Sequence, residues 1–178
     1  MEEQQTYTAF GGPQKIASGS RTAIIEALRA WVKERGEAGV LVFDDRTGKQ
    51  IDLPLRDGAE AAVPAETRTG PGRPKLGVVS REVSLLPRHW EWLEDQPNGA
   101  SAALRRLVDQ ARQAPENQAK QARQAAGQFL LAMAGNFAGY EEATRALYAG
   151  DMERLRALTA DWPAEIRAHA LALAESRG

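Results

Sequence analysis

"GVLVFDDRTGKQIDLPL", residues 39–55, has the pattern of a β-hairpin and decides the fold class. Residues Val40–Phe43 form a short apolar run, which is typical of a buried strand. Residues Asp45–Gly48 are turn formers, because Asp hydrogen-bonds nearby backbone amides and Gly accepts a positive φ. Residues Lys49–Leu55 then supply the returning strand. The sequence therefore predicts a sheet in the N-terminal part of the chain.

The segments upstream of the hairpin add a helix and two further strand candidates. "TYTAF" (residues 6–10) and "QKIAS" (residues 14–18) have the length and composition of short strands. "GSRTAIIEALRAWVKERG" (residues 19–36) predicts a helix that Ser20 caps and Gly36 ends. One face of that helix collects the apolar residues Ile24, Ile25, Leu28, Trp31 and Val32. Residues 1–57 are therefore expected to form a small α+β unit.

Downstream of the hairpin, composition divides the chain into three regions. Residues 58–77 are rich in Gly, Pro, Ala and charged residues and lack an apolar period, which favours a linker. Residues 78–112 combine a strand-like run with two helical patterns. Residues 113–178 are helical, with breaks expected at Pro115, Gly135, Gly139, Gly150 and Pro163. The predicted fold class is α+β, with a small N-terminal α/β unit, a linker, a strand-helix-helix segment and a C-terminal helical region.

The strand-helix-helix segment contains residues that mark the boundaries of its elements. Residues 78–85 have strand character, and Pro87 suits the first position of a helix that carries Leu86, Trp90 and Leu93. "QPNGAS" (residues 96–101) interrupts this helix, and Ser101 is expected to cap the next one. The second helix places Leu104, Leu107, Val108 and Ala111 on one face. Trp92 lies off the face of Trp90 and is expected to be partly exposed.

"SREVSLLPRHWEWLEDQPNGASAALRRLVDQAR" (residues 80–112) resembles the ribbon-helix-helix family of bacterial DNA-binding proteins. In that family two chains pair their strands into a ribbon that enters the major groove, and the start of the second helix holds a phosphate. The resemblance implies that Ser84 reads a base edge. It also implies that the backbone amides of Ala102 and Ala103, near Ser101, hold the phosphate, because a helix N-terminus favours an anion.

The register of the strand leaves two alternatives. If Val83 and Leu85 point inward, Glu82 and Ser84 face the groove, and a carboxylate there is unfavourable unless it reads cytosine. The opposite register turns Arg81 toward DNA but exposes Val83 and Leu85. Either the strand is bulged, or it builds a dimer without reading the groove.

Gly72-Arg73-Pro74, followed by Lys75, matches the core of an AT-hook. An extended segment of this kind can place Arg73 in the narrow minor groove of A·T-rich DNA, where the negative potential is concentrated. The alternative is a flexible basic linker, because a tripeptide match is common by chance.

Charge is unevenly distributed along the 178 residues. The formal net charge is -1, so no overall attraction to nucleic acid is expected. Residues 68–112 hold eight Lys/Arg and five Asp/Glu, which gives +3 there and, by subtraction from -1, a charge of -4 elsewhere. A nucleic-acid contact is therefore expected in residues 68–112.

Several kinds of chemistry lack the residues they need. The chain has no cysteine, which excludes disulfides, thiolate catalysis and cysteine-ligated zinc. Its N-terminus lacks the basic start and apolar core of a signal peptide, and no apolar run is long enough to span a bilayer. A cytoplasmic protein with no membrane partner is therefore expected. No catalytic constellation is evident, and no cofactor or metal is predicted.

The remaining candidates for metal binding have simpler interpretations. Asp44, Asp45 and Asp52 could gather around a divalent cation, but "DDRTG" (residues 44–48) is also what a hairpin turn requires, and the turn is favoured. His89 and His169 are both expected on helix surfaces, because neither has a second ligand at metal spacing.

Landmarks spread over nearly the full chain resemble a bacterial family described as domain of unknown function 2239. They are "TAFGG", "VLVFDD", "GRPKLGVVSREVSLLPRHWEWL", "GASAALRRLVDQAR" and "FAGYEEATRALYAGD". This resemblance implies a bacterial protein and no particular activity.

The ribbon-helix-helix resemblance and the basic arm together imply a homodimer that binds double-stranded DNA as a regulator of transcription, with Arg88, Arg105 and Arg106 on backbone phosphates. The alternative is a protein-interaction or small-ligand module in which the strand only dimerises. An enzyme built on Asp44 and Asp45 is a third hypothesis.

Overall fold

The computed structural model describes residues 5–36, 39–53, 79 and 81–176. Within these ranges the chain forms four strands and seven helices. The strands come first and the helices dominate the second half, so the predicted α+β class is confirmed.

The N-terminal strands form one antiparallel sheet with the order β2-β1-β3-β4. The strands are β1 (Tyr7–Gly11), β2 (Gln14–Gly19), β3 (Val40–Asp44) and β4 (Gln50–Ile51). The three predicted strands before the hairpin turn are confirmed. The return strand is much shorter than predicted, since residues 52 and 53 continue without strand structure and residues 54 and 55 lie outside the described ranges.

Helix α1 (Arg21–Arg35) begins and ends where the sequence predicts. The Ser20 hydroxyl accepts a hydrogen bond from the Ala23 amide at 3.4 Å, which satisfies one of the free amides of the first turn. Gly36 ends the helix with φ at 82°, a conformation that favours glycine. The helix buries Ile24 and Leu28 in a cluster with Ala9 and Val42, so it covers one face of the sheet.

The opposite face of the sheet is covered by C-terminal helices. Side chains alternate along a strand, so Phe10 and Phe43 point away from α1. Both rings are fully buried in a second cluster with Phe129 and Leu130 of α4 and Ile166 of α7. The sheet is therefore the middle layer between α1 and the C-terminal helices.

The C-terminal region consists of α4 (Pro115–Ala134), α5 (Tyr140–Ala149), α6 (Met152–Leu158) and α7 (Ala164–Glu175). The predicted breaks are confirmed. Asp151 caps α6 by accepting a hydrogen bond from the Arg154 amide at 3.0 Å. Trp162 fixes the connection before α7, because its indole Nε1 donates to the Ala138 carbonyl at 3.0 Å.

The chain divides into two compact units. One consists of Met1–Ala59 together with Gln113–Gly178, and the other is Glu60–Arg112. The N-terminal sheet and the C-terminal helices, which are far apart in sequence, thus share one core. The second unit contains α2 (Pro87–Glu94) and most of α3 (Gly99–Gln113).

Gly48 permits a close approach between the β3–β4 turn and α4. Its φ is 66°, and a Cβ atom built on it would lie 1.8 Å from the carbonyl oxygen of Ala125 in α4. Any side chain at this position would therefore push the β3–β4 turn away from α4.

We expect Gly48→Ala to lower the free energy of unfolding by more than about 2 kcal/mol, since a left-handed conformation alone costs about 1–2 kcal/mol. Gly12→Ala is the matched control, because Gly12 has a φ of 58° and its Cβ would meet open space. Urea denaturation of both variants measures the difference. Equal losses would show that the contact with Ala125 contributes nothing.

Candidate nucleic-acid interface

Six of the eight residues predicted to contact DNA are described by the structure, and all six are exposed. Arg81 and Ser84 lie in the segment before α2, Arg88 lies in α2, and Ser101, Arg105 and Arg106 lie in α3. Arg73 and Lys75 lie outside the described residues. The described candidates therefore all belong to the second unit.

Residues 81–86 lead into α2 without forming a strand. The predicted ribbon pairs the strands of two chains, so a single chain does not test it. Val83 and Leu86 are exposed in this segment, whereas Leu85 is half-buried. The choice between the two strand registers stays a prediction.

The helix pair itself follows the predicted order. Helix α2 begins at Pro87, as predicted. Proline suits this position because it has no backbone N–H, and an N–H at the start of a helix has no acceptor within the helix. Helix α3 begins at Gly99, so Ser101 lies inside the helix and the prediction that it caps the helix is wrong. The reason is the turn, in which Asn98 and Gly99 take positive φ values of 68° and 77° and the Gly99 amide donates to the Gln96 carbonyl.

The corrected start moves the free amides of α3. Ser101 lies inside the first turn, and its carbonyl accepts a hydrogen bond from Arg105 Nε at 3.2 Å. The amides of Ala100 and Ser101 are in the first turn, where an α-helix supplies no acceptor from its own backbone. An anion would therefore meet the amides of residues 100 and 101.

The arginines of α3 are exposed and are held by contacts within the same unit. Arg106 donates to the Gln96 side chain at 3.2 Å, which ties α3 to the turn before it. Arg105 is held by its hydrogen bond to Ser101. Both guanidinium groups retain further N–H donors for a phosphate.

Each helix of the pair carries an apolar stripe that is buried at one end and exposed at the other. In α2, Leu93 is 3% exposed, whereas Trp90 is 37% and Leu86, immediately before the helix, is 49% exposed. In α3, Ala103 is buried, whereas Leu107 and Val108 are exposed, Val108 by 55%. We call Leu86, Trp90, Leu107 and Val108 the exposed stripe residues. Trp92, off the stripe, is exposed as predicted.

The charge of the described part of this unit is balanced. Residues 81–112 hold five arginines and five Asp/Glu, so their net charge is zero. The excess of +3 comes from Arg68, Arg73 and Lys75, which lie outside the described residues. A basic surface is thus not a property of the two helices alone.

The aspartates of the hairpin form a turn. The Asp44 carboxylate accepts hydrogen bonds from the amides of Arg46 at 2.9 Å and Thr47 at 3.0 Å, and its carbonyl accepts from Gly48. Among the described residues, His, Asp and Glu side chains nowhere gather in a group of three that could hold a metal ion. The interpretation as a turn is confirmed.

The prediction that His169 lies on a helix surface is wrong. Its side chain is 9% exposed, and its ring packs against Phe10 and Phe129 at centroid distances of 5.5 Å and 4.6 Å. Spacing could have revealed this, because His169 follows Ile166 by three residues and precedes Leu173 by four, and both are buried. Burial lowers the pKa of His169, Asp45 opposes this effect and Lys15 adds to it.

No helix among the described residues has both the length and the apolar character needed to cross a bilayer.

Comparison with known proteins places the chain in a bacterial family. The family described as "Uncharacterized protein conserved in bacteria (DUF2239)" matches residues 6–174, which is nearly the whole chain. No curated protein and no solved structure matches.

Removing the Asp44 carboxylate should destabilise the turn whether or not a cation is added. We expect Asp44→Ala to lower the free energy of unfolding by about 1–2 kcal/mol, because two backbone amides lose their acceptor. Asp52→Ala, at an exposed position after β4, is the control and should have little effect. Millimolar Mg²⁺ or Ca²⁺ should leave Tm unchanged, and a rise with cation concentration would contradict the turn interpretation.

Proposed function

We propose that this chain, which belongs to the DUF2239 family, is a homodimeric DNA-binding protein whose residues 68–112 contact the nucleic acid. The observation that carries the proposal is the pair of half-covered apolar stripes on α2 and α3 beside exposed arginines. A regulator of transcription is the functional class that such a protein fits best.

The exposed stripe residues support a dimer. An apolar stripe that runs from a buried end into solvent is typical of a helix that packs against a partner. A second copy of the chain offers the same stripe, and a two-fold axis lets each copy cover the other. Val83, exposed just before α2, extends the apolar surface into the segment predicted to form the ribbon.

The arginines and the start of α3 support contact with DNA backbone. Arg88, Arg105 and Arg106 are exposed on the same two helices as the stripes. Such contacts position a protein without reading sequence. The first-turn amides of α3 add a site suited to a phosphate oxygen, since the helix dipole favours an anion there.

Sequence preference is assigned to the segments before α2. Arg73 and Lys75 form the minor-groove arm, and either Ser84 or Arg81 faces the major groove, according to the strand register. An A·T preference would come from the arm, because the narrow groove of A·T-rich DNA attracts an inserted arginine.

A protein-interaction module is the second candidate. The zero net charge of residues 81–112 favours it, because two helices without a basic excess gain little from nearby phosphates. In this alternative the same stripes bind a second copy or another protein, and residues 68–75 are a solvated linker.

The proposed dimer is tested by introducing negative charges at two of the exposed stripe residues. We expect the native chain to sediment as a dimer and Leu107→Glu/Val108→Glu to sediment as a monomer with unchanged circular dichroism, because two buried carboxylates per copy would have no partner. Leu131→Glu is the control at an exposed apolar position of the other unit. A native chain that is monomeric at tens of micromolar would contradict the proposal.

DNA binding is tested by fluorescence anisotropy of A·T-rich and G·C-rich duplexes over a range of salt concentrations. We expect binding that weakens steeply with salt, since each neutralised phosphate contributes about -0.9 to the slope of log K against log salt. Arg73→Ala/Lys75→Ala should reduce that slope and the A·T preference. Arg145→Ala/Arg154→Ala removes the same charge from arginines that pair with Glu142 and should bind like the native chain.

The outcomes separate the two candidates. A native dimer that fails to bind either duplex at low salt would reject DNA binding and retain the interaction module. Equal losses in both double variants would show that the basic arm acts only through net charge.

A further inference from the structure

We propose that His169 is a proton-operated latch whose neutral ring holds α7 against the sheet near neutral pH and loosens it under acidic conditions, with Asp45 opposing the release. The latch lies in the unit that contains the sheet and the C-terminal helices, so it is independent of the proposed DNA contact.

The imidazole of His169 is enclosed by apolar groups. The ring of Phe129 in α4 meets it edge-on at 4.6 Å, and the ring of Phe10 in β1 lies 5.5 Å away. Both phenylalanines are fully buried. A neutral imidazole packs in this environment as an aromatic ring, whereas an imidazolium would lose its hydration there.

The polar edge of the ring faces one carboxylate without bonding to it. His169 Nε2 lies 3.6 Å from Asp45 Oδ1, which is within reach of an ion pair but too long for a hydrogen bond. Both atoms are buried, and neither has a hydrogen-bond partner among the described residues. The contact therefore stays weak while the imidazole is neutral.

Two charged groups act on this ring from the elements packed around it. Asp45 faces it from the turn after β3, and Lys15 acts on it from β2. β1 and α4 present the phenyl rings. On α7 itself, Glu165 lies one turn before His169 and accepts a hydrogen bond from the Lys15 backbone amide, so the same helix is tied to β2.

The direction of the effect follows from these surroundings. Burial lowers the pKa of His169, and the attraction to Asp45 only partly offsets this, with Lys15 acting in the same direction as burial. The unfolded chain takes up the proton first as the pH falls below the ordinary histidine pKa of about 6.5. The stability that the neutral ring contributes is full above that pH and is lost as the pH falls toward the folded-state pKa.

The loss should be concentrated at α7. This helix carries His169 and supplies Ile166, Ala170 and Leu173 to the core between α4 and the sheet. Protonation of His169 places a charge in this core and weakens the packing of α7. Helix α1 covers the other face of the sheet through a separate cluster.

The first test is an NMR titration of the native chain, which has two histidines. Assignment uses His89→Gln, since His89 is exposed on α2. We expect the His169 resonances to titrate with a midpoint below about 6.5. A midpoint at or above that value would overturn the proposal, and this measurement needs no change to the core.

The second test locates the response. Hydrogen-exchange protection of α7 amides, corrected for intrinsic rates, should fall between pH 7.5 and pH 5 in the native chain and stay constant in His169→Gln. Protection that is independent of pH in the native chain, or equally pH-dependent in the variant, would overturn the latch.

Two charge variants give opposite expected shifts. Asp45→Asn removes the group that favours the imidazolium and should enlarge the acid-dependent loss of stability, whereas Lys15→Met should reduce it. Lys33→Met, on α1 against the other face of the sheet, is the matched control for Lys15. Shifts of the same sign in the Asp45 and Lys15 variants would contradict the proposed electrostatics.

Discussion

Contact among three phenyl rings joins the sheet to the C-terminal helices. The shared core of the unit that contains both depends on this contact. Phe10 and Phe43, from neighbouring strands, lie 6.2 Å apart, and Phe129 of α4 lies 5.4 Å from the first and 4.9 Å from the second. These are distances at which aromatic pairs attract beyond the area they bury. Phe129 lies at the centre of the cover that α4 and α7 give to this face of the sheet, because α1 occupies only the other face.

Local signals in the sequence were sufficient for most element boundaries. Ser20, Gly36, Pro115, Asp151 and Pro163 each act within one helical turn, and each marks the end or start of a helix as predicted. The packing of the sheet against the distant helices in one core could not be predicted from such local signals. An apolar period shows that Phe10 and Phe129 are buried, but it carries no information about which apolar surface each one meets.

In the candidate interface, the helix faces could be predicted from the sequence, whereas the exact start of α3 could not. Helical spacing identified the stripes of α2 and α3 and the exposure of Trp92. It placed the start of α3 at a favourable capping residue, whereas the pair Asn98-Gly99 closes the turn earlier through positive φ values. The prediction for His169 is wrong because the lack of a second metal ligand carries no information about burial, whereas its position continues the buried stripe of Ile166 and Leu173.

The unit that contains the sheet and the C-terminal helices is built from two separate parts of the chain, and this has a consequence for biosynthesis. The ribosome makes the sheet first, then the whole of the second unit, and only afterwards the helices that cover the inner face of the sheet. Phe10 and Phe43 must therefore wait until residues 44–128 have been made before Phe129 can reach them, and Ile166 follows later still. During that interval the nascent chain presents an open apolar sheet face, the type of surface that chaperones bind and that self-associates at high concentration.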